Sequence, residues 1–438
     1  MTEKAAQLPL NLAKTLAEIE ASAEITYAEL QREAICAAAS ERLLLVTGGP
    51  GTGKTTTLRG ILELFRRMHY KTLLAAPTGR AAKRLTEVTG RDASTIHRLL
   101  EVDVSPETGE MVFVHNARNP LSCDAVIVDE TSMVDLLLMH ALVQALPATA
   151  RLILVGDPDQ LPSVGPGNVF SDLIRCGKIP TVRLTEIFRQ ARESLIVMNA
   201  HRVNHGEMPE LGVKNRDFFF LQQSSDEGVC RTVTDLCVRR LPGKLGIAPE
   251  DIQVLSPTRK GETGTRSLNV LLQAALNPPS AEKKEKKYGG FTFREGDRVM
   301  QIRNNYDLIW RRSGSAEMGS GVFNGDIGVI QSIDYQAQNL EIHFDDRIVI
   351  YSFDLLSDLE PAFAMTVHKS QGSEYRAVVV CTWKGTPLLL SRSILYTAIT
   401  RARELLILVG DRGVVEYMVR NDKKQKRFSG LMWRLKNA

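Results

Sequence analysis

Residues 43–65 read LLLVTGGPGTGKTTTLRGILELF, and this stretch decides the fold. Leu43–Thr47 is a short apolar run of the kind that forms a strand buried on both faces. Leu58, Ile61, Leu62 and Phe65 recur at helical spacing, which predicts a helix with one apolar face. Between them, GGPGTGKT (48–55) fits G-x-x-x-x-G-K-[ST]. A glycine-rich loop between a strand and a helix lets backbone N–H groups wrap phosphate oxygens at the positive end of the helix. Gly48, Gly49, Pro50, Gly51, Thr52, Gly53 and Thr56 are therefore expected around a nucleotide's phosphates. Lys54 is expected to reach the β- and γ-phosphates and Thr55 to ligate Mg²⁺. ATP and Mg²⁺ are the expected cofactors.

The same alternation extends outward. Thr72–Ala76, Ala125–Asp129 and Leu152–Val155 read as further buried strands, with helical stretches between them. Strands alternating with helices imply an α/β fold with a parallel sheet covered on both faces. The pattern resumes with a strand at Ile252–Leu255, a helix at Arg266–Leu276, a strand at Ala377–Cys381, a helix at Ser391–Arg401 and a strand at Leu405–Val409. A second α/β domain is expected there. Residues 1–40 read as helical.

Three segments break the alternation. EVDVSPETGEMVFVHN (101–116) flanks a Pro-Glu-Thr-Gly turn with alternating residues, which predicts a β-hairpin inserted in the first domain. Residues 290–353 hold strand-like runs at Asp297–Ile302, Ile327–Ile333, Leu340–Phe344 and Arg347–Tyr351, a small all-β insert in the second. AEKKEKKYGG (281–290) reads as a mobile, solvated linker.

Composition bounds the class. The 438 residues exceed one ordinary domain, and 43% hydrophobic content is enough for real cores. The net charge of +4 permits a nucleic-acid partner without demanding one. No two of the six cysteines stand at C-x₂-C spacing, so a zinc or iron–sulfur site is not expected. Scattered thiols, no apolar run of bilayer length and no signal-peptide pattern predict a cytoplasmic protein.

The remaining chemistry follows the strands. AVIVDE (125–130) ends a buried run in two carboxylates. Beside a phosphate loop, Asp129 is expected to hold the Mg²⁺ shell and Glu130 to polarise the attacking water. Gln160, in VGDPDQLPSVGPG (155–167), is placed to sense the γ-phosphate, a weak signal by itself. Hydrolysis also needs positive charge on the transferred phosphoryl group, and Arg189 in LTEIFRQ and Arg401 in AITRARE are candidates among many arginines.

Taken together, the motifs resemble superfamily 1 helicases, specifically the RecD-like group of 5′→3′ DNA helicases. The matching stretches run in the family's order: ITYAELQREA (25–34), the phosphate loop, AAPTGRAAKRL (75–85), STIHRLL (94–100), IVDETSMVD (127–135), VGDPDQLPSVGPG, LTEIFRQ (184–190), MTVHKSQGSEY (365–375) and LYTAITRARE (395–404). The pair TVHKSQG and YTAITRAR is far more specific than the phosphate loop. The resemblance implies two tandem RecA-like domains, at about 23–188 and 189–438 after a helical lead at 1–22. It also implies a duplex-splitting pin at about 101–118 and an SH3-like insert at about 290–353. MQIRNNYDLIW (300–310) and VFNGDIG (322–328) look like that insert's signatures. By resemblance Gln31 reads adenine, Arg189 and Arg401 are arginine fingers, and Gly372 and Glu374 touch the nucleotide's phosphate and ribose side. Thr78, Arg80, Thr95, His97, Thr366 and His368 match positions that contact single-stranded DNA.

The chain departs from the pattern twice. Only about thirty residues precede Gln31, where many RecD-like proteins carry a long region. RRSGSAEMGSG (311–321) looks longer than the usual link and is expected to be a flexible loop. The expected function is an ATP-dependent 5′→3′ DNA helicase, acting as a monomer on single strands and on single-strand/duplex junctions, in DNA repair or recombination. The alternatives are a translocating motor subunit without intrinsic unwinding, and a nucleotide-dependent switch that clamps a partner.

Overall fold

The computed structural model describes residues 11–104, 111–213, 216–423 and 427–437. The chain divides into two compact units, residues 1–201 with 424–438, and residues 202–423.

The first unit is built on six parallel strands: β1 (Leu43–Gly48), β2 (Thr72–Ala76), β3 (Ala93–Thr95), β4 (Ala125–Val128), β5 (Arg151–Gly156) and β6 (Thr181–Leu184). Their order is β3-β2-β4-β5-β1-β6. The run Leu44, Leu45, Val46 shows why β1 is an interior strand rather than an edge. Leu44 and Val46 pack with Ile61 and Phe65 on one face, while Leu45 packs with Val126, Val128 and Phe170 on the other. A strand apolar on both sides is stable only when both faces are covered.

The lead expected as one helical stretch is two helices among the described residues, α1 (Leu12–Ala23) and α2 (Glu29–Ser40). Glu24 breaks them apart in the left-handed region at φ 52°. The inserted hairpin is present as strands Val102–Val104 and Met111–Phe113, antiparallel with Val102 opposite Phe113. Its expected Pro-Glu-Thr-Gly turn lies outside the described residues.

The second unit has five parallel strands: β7 (Phe218–Gln222), β8 (Ile252–Ser256), β9 (Ala364–Thr366), β10 (Tyr375–Thr382) and β11 (Ala402–Gly410). Their order is β9-β8-β10-β11-β7. Between β8 and β9 an antiparallel sheet of seven strands forms the all-β insert, with its own core around Trp310, Phe344 and Tyr351. Two parallel α/β units, a hairpin and an all-β insert are the architecture the sequence predicted.

Four expectations need correction. The stretch 281–290 is no mobile linker: Glu285–Tyr288 pairs with Phe291–Arg294, Tyr288 opposite Phe291. Gly289 and Gly290 both take positive φ (57° and 84°), the conformation a two-residue hairpin turn requires. The stretch 311–321 is not a loop either. Asn305–Arg312 and Met318–Val322 are paired strands, with Trp310 opposite Gly319. The glycine is there because a Cβ would fall 2.3 Å from the Trp310 ring. Finally, residues 424–438 belong to the first unit rather than the second. Arg427 Nη1 donates to the carbonyls of Gly165 and Gly167, both at 2.8 Å, and Leu431 and Leu435 pack on the first unit's core. The boundary between the units falls at 201/202 rather than 188/189, because Phe188 and His201 are both held by the phosphate loop, as described below.

The insert is tied to the helix Thr265–Leu276 and the residue after it through one buried carboxylate. Asp297, 1% exposed, accepts from Asn277 Nδ2, Gln273 Nε2 and the Arg294 N–H. Asp297→Ala would strand two buried donors and one half-buried donor. It is expected to lower stability by about 3 kcal/mol, read by urea unfolding, while nucleotide binding to the first unit persists.

Candidate nucleotide site and strand-contact residues

The phosphate loop leaves the carboxyl end of β1 and enters helix α3 (Lys54–Arg67). Its backbone needs glycine at two kinds of position. Gly51 and Gly53 take φ of 73° and 79°. Gly48 and Gly53 face close neighbours: a Cβ would lie 2.4 Å from Thr52 Oγ1 or from Gln31 Nε2, respectively. Lys54 Nζ donates to the carbonyls of Gly48 (2.7 Å) and Gly49 (2.9 Å), so the ammonium is folded back into the loop. Thr52 Oγ1 donates to the Gly49 carbonyl at 2.9 Å. Thr55 is half-buried and Thr56 exposed.

Gln31, 2% exposed on α2, has both ends of its amide engaged. Oε1 accepts from the Ala28 N–H at 3.0 Å, and Nε2 donates to the Gly53 carbonyl at 3.2 Å. The amide keeps one further N–H and one lone pair, so it can hold the loop and still meet a base. Two contacts escaped the sequence reading. The Phe188 N–H donates to the Gly51 carbonyl at 3.3 Å, and His201 Nε2 lies 3.0 Å from the Pro50 carbonyl, where it can only donate. The segment that carries Arg189 thus lies against the phosphate loop; the Arg189 side chain is outside the described residues.

Asp129 and Glu130 follow β4, all four residues of which are buried. The Asp129 N–H donates to the Ala75 carbonyl at 3.0 Å, and its Oδ1 accepts from the Glu130 N–H at 2.8 Å. Burial, and then the Glu130 charge, push the Asp129 carboxyl up to about 6, against the pull of the Glu130 N–H, Arg84 and Lys54. A carboxylate short of positive charge beside a phosphate loop suits a cation. Mg²⁺ is commonly held by one or two carboxylates plus substrate phosphates. Among the described residues no cluster of three or more His, Cys, Asp or Glu could hold a metal by itself. Glu130 adopts φ 51°, unusual for a non-glycine, the kind of backbone strain that gathers at functional sites. Its Oε1 lies 4.0 Å from Arg84 Nη1. Arg84 was missed. It sits four residues after Arg80, on the same face of helix α4 (Gly79–Thr89), and that spacing was the available signal. Gln160 Nε2 lies 3.4 Å from Asp157 Oδ2, and Asp157 is 1% exposed.

In the second unit Arg401 is buried, 1% exposed. Its guanidinium donates to the carbonyls of Thr397 (3.2 Å) and Ser373 (3.1 Å) and to Thr400 Oγ1 (3.1 Å). Ser373 stands between Gly372, at φ 73°, and Glu374. The arginine and the loop expected beside a nucleotide are therefore joined to each other.

Three of the residues expected to contact a DNA strand share a structural job. Thr78, Thr95 and Thr366 cap three helical turns: their hydroxyls accept from the N–H groups of Ala81 (3.3 Å), Arg98 (3.1 Å) and Lys369 (3.4 Å). His97 is packed near the Phe113 ring, with centroids 5.9 Å apart. Burial lowers its pKa, opposed by Asp135. His368 and Arg80 are half-buried.

Comparison with known proteins identifies the group. A domain model described as the AAA domain matches residues 31–166, the ATP-dependent RecD-like DNA helicase SH3 domain matches 268–344, and the UvrD-like helicase C-terminal domain matches 361–409. The RecBCD enzyme subunit RecD of Mycolicibacterium smegmatis is 31% identical over 443 residues, covering 94% of this chain and 75% of that one. The chain belongs to the RecD-like helicase family. The ATP-dependent RecD2 DNA helicase of Deinococcus radiodurans is 38% identical over 377 residues, covering 85% of this chain; that match spans 47% of the Deinococcus protein. Among solved structures, Bacteroides Pif1 bound to ssDNA aligns over 90% of this chain and 94% of its own at TM-score 0.52 and 17% identity. That likeness shows a shared fold. Membership in the RecD-like family fits ATP use at Gly48–Thr56. Among the described residues no helix is long and apolar enough to cross a membrane.

Gln31→Ala is expected to raise KM for ATP and to erode the preference for ATP over GTP in a steady-state hydrolysis assay. An equal rise for both nucleotides would assign Gln31 to holding Gly53 alone.

Proposed function

We propose that the protein is an ATP-driven motor that moves 5′→3′ along single-stranded DNA and unwinds duplex ahead of it. One observation carries this reading. The same turn recurs at the edge of each parallel sheet: Thr95-Ile96-His97-Arg98 follows β3, and Thr366-Val367-His368-Lys369 follows β9. On the neighbouring strand of each sheet comes a second matched pair, Pro77-Thr78 after β2 and Pro257-Thr258 after β8. Two units with matched polar edges, only one carrying the phosphate loop, suit two grips on one strand driven by one nucleotide. Contacts of this polar type act on the backbone and read no sequence, as a motor requires.

Lys54 would release the Gly48 and Gly49 carbonyls to meet phosphate oxygens. Thr55 and Asp129 would hold Mg²⁺, which supplies positive charge to the phosphates. Glu130, steered by Arg84, would accept a proton from the attacking water. Arg189 and Arg401 are the proposed fingers. For Arg401 this means giving up contacts to Thr397, Ser373 and Thr400, so its engagement would move the Gly372–Glu374 loop with it. The hairpin based on Val102–Val104 and Met111–Phe113 is the proposed pin. Opening one base-pair step takes roughly 1.4 kcal/mol.

Lys54→Ala is expected to abolish DNA-stimulated ATP hydrolysis with an unchanged melting temperature; retained turnover would remove the motor assignment. In a strand-displacement assay, duplexes with 5′ tails should be unwound and those with 3′ tails left intact. Excising Ser105–Gly109 should stop unwinding and spare ATP hydrolysis, measured side by side. Equal loss of both would make the hairpin part of the scaffold.

A further inference from the structure

Glu360 binds two cations at once. One carboxylate oxygen accepts from Arg259 Nη2 at 2.7 Å and the other from Lys369 Nζ at 2.7 Å. Glu360 lies on the strand Leu359–Pro361, where the all-β insert returns to the parallel sheet, with Met300 of the insert opposite it. Arg259 follows β8 and Lys369 follows β9, neighbouring strands with Ser256 opposite Thr366. Cations from two adjacent strand ends therefore converge on one carboxylate. Two oxygens sharing a negative charge between two donors also describe how a phosphate would sit there.

Arg259 and Glu360 line a cavity of about 260 Å³ together with Arg266, Tyr288 and Phe291. Tyr288 stands at the tip of the Glu285–Arg294 hairpin and is 39% exposed. Cations beside an exposed aromatic ring are the two ingredients of a single-strand site, one for the backbone and one for a base. None of these side chains takes part in the nucleotide site.

We propose that this is a single-stranded DNA subsite in which Glu360 stands in for a phosphate. Arg259 and Lys369 seat one backbone phosphate, Tyr288 stacks a base, and Glu360 holds the two cations whenever no strand does. The strand must displace Glu360 to bind, and Glu360 retakes the cations as the strand leaves. A motor that must let go at every step gains a built-in competitor. The inference rests on the reading of the protein as a single-strand motor and adds a device to it.

The test is fluorescence anisotropy with a labelled oligo-dT and the full chain, over a range of NaCl concentrations. Glu360→Gln is expected to tighten binding by roughly threefold or more. It should also steepen the slope of log K against log[salt] by up to about 0.7, the value for one more single-strand phosphate contact. In an Arg259→Ala/Lys369→Ala background the gain should vanish. Tyr288→Ala should weaken binding at least about fivefold. Glu416→Gln, on the helix Arg412–Arg420, removes the same charge elsewhere. Equal tightening there, or a gain that survives in the double background, reduces the effect to net charge and overturns the proposal. Weaker binding by Glu360→Gln also overturns it, because Glu360 would then be holding the cations in place for the strand. If Glu360→Gln does not fold, Arg259→Gln and Lys369→Gln decide singly: each should weaken binding, and unchanged affinity rejects the seat. Wild-type protein that fails to bind oligo-dT would sink the motor reading itself. Wild-type binding with no response to Glu360→Gln sinks only the subsite.

Discussion

Parallel pairing is the constraint on which the rest depends. Because every strand of the first sheet runs the same way, every carboxyl end opens on one edge. Lys54, Thr78, Asp129 and Gln160 follow such ends, and Thr95 is the last residue of its strand. The strand order then spaces them. The phosphate loop follows β1, the acids follow β4, and the Thr95 turn follows β3 at the far side. Phosphate chemistry and the proposed strand grip thus share an edge without sharing a place. Helix α4 spans the gap, capped by Thr78 at its first turn and carrying Arg84 to Glu130 in its second. A register slip in β1 would undo the arrangement, since Leu44, Leu45 and Val46 are each buried on the face they now occupy.

What the sequence disclosed follows from burial. The central strands are apolar on both faces, and their runs were visible as such. The strands that escaped notice, β3, β6, β7 and β9, are the four edge strands of the two parallel sheets and are three to five residues long. Little in such a short segment separates a strand from a turn. The misread 281–290 stretch shows a different limit. Its lysines and glutamates suggested solvent, but the partner strand Phe291–Arg294 carries Phe293 into the insert's core and holds the polar strand in place, and only Tyr288-Gly289-Gly290-Phe291 carried the turn signal. The tail at 424–438 was misassigned because chain order says nothing about which core Leu431 and Leu435 reach.

The candidate site was legible to the same depth. Residues set by a local motif, Lys54 and Asp129 above all, could be placed on the fold from the sequence: Lys54 opens helix α3 after β1, and Asp129 directly follows β4. Residues that act across the fold did not announce themselves. Arg84 reaches Glu130 from another strand's helix, His201 reaches Pro50 from 151 positions away, and Glu360 joins Arg259 to Lys369 across more than a hundred. Each is an ordinary charged or polar residue in the sequence. Distance along the chain conceals such partners, and only the fold reveals them.

The threonine caps sharpen what a motif means here. Thr78, Thr95 and Thr366 each close a turn at the end of a parallel strand with the same hydroxyl-to-N–H bond. A cap of this kind contributes about 1 kcal/mol to its helix, so the hydroxyl is needed whether or not DNA is bound. The resemblance that links these positions to DNA therefore describes a shape as much as a contact. That shape has a purpose of its own. By ending each strand abruptly, the cap fixes where the next side chains stand: His97 and Arg98 in one unit, His368 and Lys369 in the other. In the second unit Lys369 shows the consequence, its N–H held by Thr366 and its ammonium delivered to Glu360. The threonine is thus a positioning residue for the cation, and the chemistry proposed for the strand would be carried by the residues it places.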